Sequence, residues 1–324
     1  MIISRTPLRI SFAGGSTDLP SFSRRFGGKV LSTAIDKYIY VTVNKKFDDD
    51  IRVGYSVTEI TDSVDKINHN LVRESMRKVG IHKQVEITTI GDVPGKGTGL
   101  GSSSTLTVGL LNALYAYSGK MTSPEELAKE ACQIELEILK EPIGKQDQYI
   151  AAFGGLQYIR FNKDDSVHVD PIICSQETVR ELSDNLLLFH TGKARQAGKI
   201  LRTVNVNNSQ NIETLLAMKD QVDQIKHCLL HDDIPEIGRI MHEGWELKKR
   251  TSTAVSNPQI DLLYSKARKA GASGGKITGA GGGGFLMLFC PPSRQKALRK
   301  ALGGLRELIF SFEPKGSTII FVGK

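Results

Sequence analysis

The sequence predicts an α+β protein built from two units, and three observations carry that reading. The first part of the chain is rich in short strand-like stretches. A segment of glycine and serine at 94–105 then opens onto a helical run, and beyond about residue 165 long helical stretches lie between strand-like ones.

Leu8, Ile10 and Phe12 alternate with Arg9 and Ser11, the period of a strand, and residues 30–35 and 38–43 read as two more. Asp48-Asp49-Asp50 breaks the pattern before a short strand at 51–53, and 85–90 supplies another directly ahead of the glycine segment. In the helix that follows, Leu106, Leu110, Leu111, Leu114 and Tyr115 fall at helical spacing, so it rests on a sheet with its N-terminus turned toward a ligand.

Ser123-Pro124-Glu125-Glu126 is a helix start, with Ser123 as N-cap, Pro124 in the first turn and Glu126 closing a capping box; the helix should end before Pro142. Leu127, Ala131, Ile134 and Ile138 form its apolar stripe, and Glu130, Glu137 and Glu141 share the polar face. Glu135 stands apart, one and two turns from Ala128, Ala131 and Leu139. A carboxylate turned toward small apolar residues needs a cation, a donor or a proton. On pattern alone, a residue at the edge of the stripe reaching out to water fits equally well.

In the second half, 210–230 and 234–249 read as helices between strands at 186–189 and 285–289. Asn257-Pro258 caps a helix that stops at Gly271, residues 276–284 form a glycine-rich turn feeding a central strand, and 317–322 closes the chain with another strand. Helices crossing an antiparallel sheet give an α+β second domain, with the boundary near residue 165.

At 324 residues the chain has room for two ordinary domains. With 43 Lys and Arg against 35 Asp and Glu, the formal charge of +8 suits anionic substrates. The charges are scattered, and no basic block interleaved with aromatics appears, which argues against nucleic acid as a partner. Cys132, Cys174, Cys228 and Cys290 lie far apart and read as reduced, buried thiols. No leader-like segment and no apolar run of membrane-spanning length is present, so the expectation is a cytoplasmic protein without a membrane partner. His227 and His231 stand one turn apart with no third ligand in reach, a surface-helix pattern.

Residues 95–101 hold four glycines in seven positions, and Ser102, Ser103 and Ser104 open the helix. The first-turn N–H groups of a helix have no intrahelical partners and carry partial positive charge, so this junction invites a phosphate. It is not a P-loop, because Lys96 is followed by Gly97 rather than a hydroxyl residue. A Gly-x-Gly-x-x-Gly string does occur at 279–284, but a strand pattern follows it where a dinucleotide site requires a helix.

Pro94-Gly95-Lys96-Gly97-Thr98-Gly99-Leu100-Gly101-Ser102-Ser103 resembles the second motif of the GHMP kinases, Pro-x3-Gly-Leu-Gly-Ser-Ser. Two more stretches are similar to that family's first and third motifs: Pro7-Leu8-Arg9-Ile10-Ser11-Phe12-Ala13-Gly14-Gly15-Ser16-Thr17-Asp18, and Lys276-Ile277-Thr278-Gly279-Ala280-Gly281-Gly282-Gly283-Gly284. All three stand in the family's order. The Gly-Gly-Ser-Thr-Asp-Leu-Pro variant of the first motif looks most like the bacterial heptose 7-phosphate kinases and their sugar-kinase relatives. The resemblance implies a ribosomal-protein-like β/α domain over 1–165 and a ferredoxin-like α+β domain over 166–324.

It also implies roles. Gly95, Lys96, Gly97, Gly99, Leu100, Gly101, Ser102, Ser103 and Ser104 would wrap the phosphates of ATP. Ser103 and Glu135 would hold Mg²⁺, the latter because a metal-binding helix glutamate in the family precedes the catalytic aspartate by about this separation. Asp147 would be that aspartate, the general base, oriented and kept ionised by Arg9. Asp18 would bind sugar hydroxyls, with Gly15 and Ser16 where galactokinases carry Glu-His. The acceptor implied is D-glycero-D-manno-heptose 7-phosphate, phosphorylated on its anomeric hydroxyl, with Lys193 and Arg195 on its second phosphate and Arg24, Arg25, Lys29 and Arg202 as weaker candidates. Gly281 and Gly282 would line the site. An anomeric kinase of an unphosphorylated sugar such as fucose, arabinose or a galactose-like sugar is the alternative within the class, and a non-catalytic sugar and nucleotide sensor the alternative outside it. The joint presence of Ser103, Glu135, Asp147 and Arg9 argues against silence. A homodimer is left open.

Overall fold

The computed structural model describes residues 1–95, 97–192, 197–204 and 208–323. Lys96, Lys193 and Arg195, three of the expected ligand-binding cations, lie outside the described residues. In chain order the strands are β1 (Ile2–Ala13), β2 (Gly28–Lys45), β3 (Ile51–Gly54), β4 (Thr58–Thr61), β5 (Val85–Gly91), β6 (Leu156–Phe161), β7 (Val167–Pro171), β8 (Leu186–His190), β9 (Gly274–Ile277), β10 (Phe285–Phe289), β11 (Arg306–Leu308) and β12 (Thr318–Val322).

The first sheet is organised on the antiparallel pair β1 and β2, in the order β12-β1-β2-β5-β3-β4. The stretches expected as separate strands at 30–35 and 38–43 are one strand, β2. Its early half pairs with β6, which in turn pairs with β7, and its late half pairs with β5. β2 stays paired with β1 across a register shift between Pro7 and Leu8, beside a residue that has no N–H to give to the ladder. From Thr6 to Ala13 every residue of β1 is buried, polar positions included. The helices Ser102–Tyr117 and Ser209–Leu230 both pack on β1 and β2, so the alternation in the sequence does not separate a dry face from a wet one.

The second sheet runs β11-β8-β10-β9, antiparallel throughout. The succession β8, helices, β9, β10, helix Pro292–Ala301, β11 in that spatial order is a ferredoxin-like arrangement. A continuous apolar cluster runs from Leu8, Ile10 and Val41 through Val222 and Ile225 to Leu188, Met287 and Phe289, joining the two sheets. The strand expected at 317–322 to close the second unit is β12, and it pairs with β1. β7 likewise belongs to the first sheet, so a cut at residue 165 divides that sheet. Pairing of β12 with β1 satisfies backbone groups on both strands and covers that edge of the first sheet.

The helix that starts at Ser123 forms its capping box and runs as an α-helix over Pro124–Cys132. It then widens into a π-helical turn at Gln133–Ile138, where the Leu139 N–H donates to the Ile134 carbonyl at 2.9 Å. The wider turn shifts the faces: Glu135 goes inward, 1% exposed, and Ile138, expected in the apolar stripe, is 52% exposed.

Gly109 lets the helix Ser102–Tyr117 lie close on the sheet, because a Cβ there would stand 2.8 Å from Thr6 Oγ1 and 3.4 Å from Val41 Cγ2. Gly109→Val is expected to lever the helix outward and cost about 1–3 kcal/mol, read as a lower urea midpoint at unchanged slope.

Candidate active site

The N-terminus of Ser102–Tyr117 ends in a cavity of about 560 Å³. Gly101 sits at the N-cap in the left-handed region, φ +82°, and no side chain caps the helix there. The first turn is thereby left open to an anion, the arrangement that the glycine and serine spacing predicts. Gly95, Gly97, Gly99 and Gly101 line this end of the cavity with Ser102, Ser103 and Ser104. Leu100 is buried beneath them, its carbonyl accepting the Arg9 N–H at 3.1 Å.

Arg9 projects from β1 and is 4% exposed. Its Nε and Nη2 donate to the two carboxylate oxygens of Asp147, each at 2.8 Å, and its Nη1 donates to the Gly99 carbonyl at 2.5 Å. Every nitrogen of the guanidinium is therefore engaged by protein. The fork fixes the plane of the Asp147 carboxylate at the start of helix Gln146–Phe153 and ties it to the phosphate loop. Asp147 remains 23% exposed, open to the cavity that Arg9 closes from behind.

Asp18 lies at the other side of the same cavity, 2% exposed. Its Oδ2 accepts the Gln146 N–H at 3.1 Å and the Gln146 Nε2 at 3.0 Å, while Oδ1 accepts the Ser16 N–H at 3.1 Å. Burial, and then the nearby Asp147 charge, push its carboxyl above the ordinary value. Gly144 is required by this contact, because a Cβ there would stand 1.9 Å from Asp18 Oδ2. Gly15 and Ser16 also line the cavity, and a Cβ on Gly15 would meet only open space.

Glu135 reaches the cavity from the π-helical turn. The Gln148 amide donates to it at 2.6 Å, and burial, the largest influence, pushes its carboxyl up to about 8. Close by, Ser104 Oγ and Gln148 Oε1 are buried without a hydrogen-bond partner. A buried carboxylate with the Asp147 and Glu141 charges nearby and acceptor oxygens left over is a donor set that suits a hard divalent cation.

Other expected residues are placed elsewhere. The third-motif wall of the cavity is formed by Lys276, Gly279 and Ala280, not by Gly281 and Gly282. Gly281 backs onto Val255, and the Gly282 N–H donates to the Val255 carbonyl at 2.6 Å, so these two glycines serve packing of the turn. Arg24 pairs with Asp165 and Lys29 with Asp223, Arg25 lies over the Phe26 ring, and Arg202 lines the cavity. Sequence reasoning missed Gln146, Gln148 and Lys276. The two glutamines flank Asp147 and Lys276 opens the third motif, but nothing in their spacing distinguishes a residue facing the cavity from one facing away.

The chain carries matches to the GHMP kinases N terminal domain over residues 67–155 and to the GHMP kinases C terminal domain over 225–305. It is 32% identical to a D-glycero-alpha-D-manno-heptose 7-phosphate kinase of Campylobacter jejuni, over 97% of both chains. A solved D-glycero-D-manno-heptose 1-phosphate kinase from Bacteroides thetaiotaomicron superposes with a TM-score of 0.83 at 29% identity, covering all of both chains. A bifunctional fucokinase/GDP-fucose pyrophosphorylase of Arabidopsis thaliana is 27% identical over 91% of this chain and 30% of its own length. The chain belongs to the GHMP kinase family. Within it, the protein is an ATP-dependent sugar kinase.

Among the described residues no helix is long and apolar enough to cross a membrane.

Glu135 gives a stability signature. A carboxyl whose folded value is raised from the ordinary 4.5 to about 8 favours the folded state below the unfolded value, and that contribution is lost as pH rises through about 8. Without divalent cation, Glu135→Gln is expected to melt higher than wild type at pH 8, with the gap narrowing toward pH 5 in thermal scans.

Proposed function

We propose that this kinase phosphorylates the anomeric hydroxyl of D-glycero-D-manno-heptose 7-phosphate, giving the 1,7-bisphosphate. The observation that supports a transfer site most directly is the Arg9 and Asp147 fork, which aims one carboxylate into a cavity bounded by an open helix N-terminus. The choice of acceptor rests on the similarity to the Campylobacter kinase along nearly the whole chain.

Asp147 accepts the proton of the acceptor hydroxyl as the oxygen to phosphorus bond forms and the bond to ADP breaks. Arg9 holds that carboxylate in one orientation, so positioning is provided before the substrates arrive. Asp18, cradled by Gln146 and Ser16, accepts hydrogen bonds from sugar hydroxyls, and its two backbone N–H contacts fix where they must sit. The first-turn N–H groups and hydroxyls at 102–104 receive the phosphates of ATP. Glu135 and Ser103, with Ser104 Oγ adjacent, are the residues that would hold Mg²⁺, whose chemistry here is to neutralise phosphate charge. Lys193 and Arg195 remain the proposed contacts for the second phosphate, with Arg202 on the cavity wall.

An unphosphorylated sugar as acceptor is the second reading, favoured by the fucokinase similarity. The deciding assay follows ADP release from Mg-ATP across sugars offered free and as their terminal phosphates, with the new phosphate located by phosphorus NMR. Turnover of heptose 7-phosphate with an anomeric signal is expected, and turnover of free sugars alone would replace it by the second reading. Asp147→Asn is expected to lower kcat about 10²- to 10⁴-fold, with a much smaller change in ATP affinity by equilibrium binding. Near-wild-type turnover in that variant would remove Asp147 as the base.

A further inference from the structure

Three cationic side chains line the cavity among the described residues: Arg9, Arg202 and Lys276. Arg9 spends all its guanidinium nitrogens on Asp147 and Gly99, and Arg202 is exposed at the rim. Lys276 differs from both. It projects from β9, is 6% exposed, and its ammonium makes one long contact, 3.4 Å to the Phe12 carbonyl of β1. Among the described residues it forms no ion pair with a carboxylate.

A buried ammonium with three donors and one weak acceptor is costly unless something else completes it. Its surroundings say what that is. Two residues on, Thr278 donates from Oγ1 to the Thr98 carbonyl at 3.0 Å, and its carbonyl lies where a Cβ on Gly99 would come within 2.4 Å. β9 is thereby locked against the phosphate loop, while Phe12 and Asp18 belong to the acceptor side. Lys276 stands where the two halves of the cavity meet.

We propose that Lys276 is a catalytic residue whose ammonium meets the anionic oxygens of the phosphoryl group in transit from ATP to the acceptor hydroxyl. The hydroxyl proton goes to Asp147, the bond to ADP breaks, and Lys276 keeps its own proton throughout the transfer. Phosphoryl transfer asks chiefly for fixed positive charge at this point, and the charge of Arg9 is already matched by the two-point bond to Asp147 and its Nη1 turned to the Gly99 carbonyl. The proposal rests on the kinase reading above but not on which sugar is accepted.

The charges that act on Lys276 are Arg9 on β1 and Asp18 in the turn beyond it; Asp147 is bonded to Arg9, and Lys248 from helix Ile234–Thr251 donates its Nζ to the Gly279 carbonyl. Burial, and then the Arg9 charge, hold the ammonium down to about 7, so at pH 8 it is largely neutral until an anion arrives. Loading the site should therefore draw in a proton.

The test is calorimetric titration of the full chain with Mg-AMPPNP at pH 8 in buffers of different ionisation enthalpy, which counts protons without any acceptor. Wild type should take up about half a proton or more beyond Lys276→Met, and equal uptake overturns the proposal. Melting of Lys276→Met without ligand should stay level or rise, because a buried polar group with one long hydrogen bond is replaced by an apolar one; a fall of more than about 5 °C assigns a structural role and overturns it. In turnover assays kcat should fall about 10²- to 10³-fold with the KM for ATP changed by less than about threefold, and a kcat near wild type overturns it. Lys276→Gln is the second uncharged variant and should behave as Lys276→Met does in all three measurements. If wild type transfers phosphate to no sugar, the acceptor reading fails while the calorimetric result still decides Lys276.

Discussion

The contact on which the rest of the site depends is the two-point bond between Arg9 and Asp147. Its partners lie 138 residues apart in sequence, one in the middle of β1 and the other at the start of helix Gln146–Phe153. The third nitrogen of the same guanidinium reaches the Gly99 carbonyl, so a single side chain fixes strand, helix and phosphate loop relative to one another. A buried ion pair adds little net stability once desolvation is counted, and its worth here is orientation. The stability of the frame comes from the apolar cluster that runs from β1 and β2 to the second sheet.

Around that fork the protein has buried more charge than a core tolerates without compensation. Asp18, Glu135 and Lys276 are each at least nine-tenths buried, and burial is the largest influence on all three, raising the two carboxyls and lowering the ammonium. Each sits at a different wall of one cavity, beside a helix N-terminus left uncapped. Perturbed groups that converge in this way define a place where ligand charges are the missing partners. The π-helical turn belongs to the same logic, since the wider turn is what carries Glu135 inward and leaves Ile138 outside.

Much of this was legible in the residues, unevenly. The capping box at Ser123, the glycine segment at 95–101 and the helix after it are local signals, decided by backbone conformation within a few residues, and they appear where the spacing places them. Glu135 was legible as an anomaly because its helical neighbours are apolar. Gly281 and Gly282 were misread, since a glycine permits close approach without saying what approaches, and here it is Val255. β12 was read as a strand correctly but assigned to the wrong sheet, because pairing partners are chosen by open edges and not by sequence order.

The sequence by itself determined the three motifs, their order, and hence the family and its two kinds of domain, because each motif is a short string whose chemistry is carried by residue type and spacing. Tertiary structure decided the rest. It set the Arg9 fork on Asp147, the close fit of Asp18 over Gly144, the burial of Lys276 against Phe12, and the return of the last strand to the first sheet. Those are contacts between segments far apart in the chain, fixed by which faces pack and which backbone groups remain to be paired, and no local pattern encodes them.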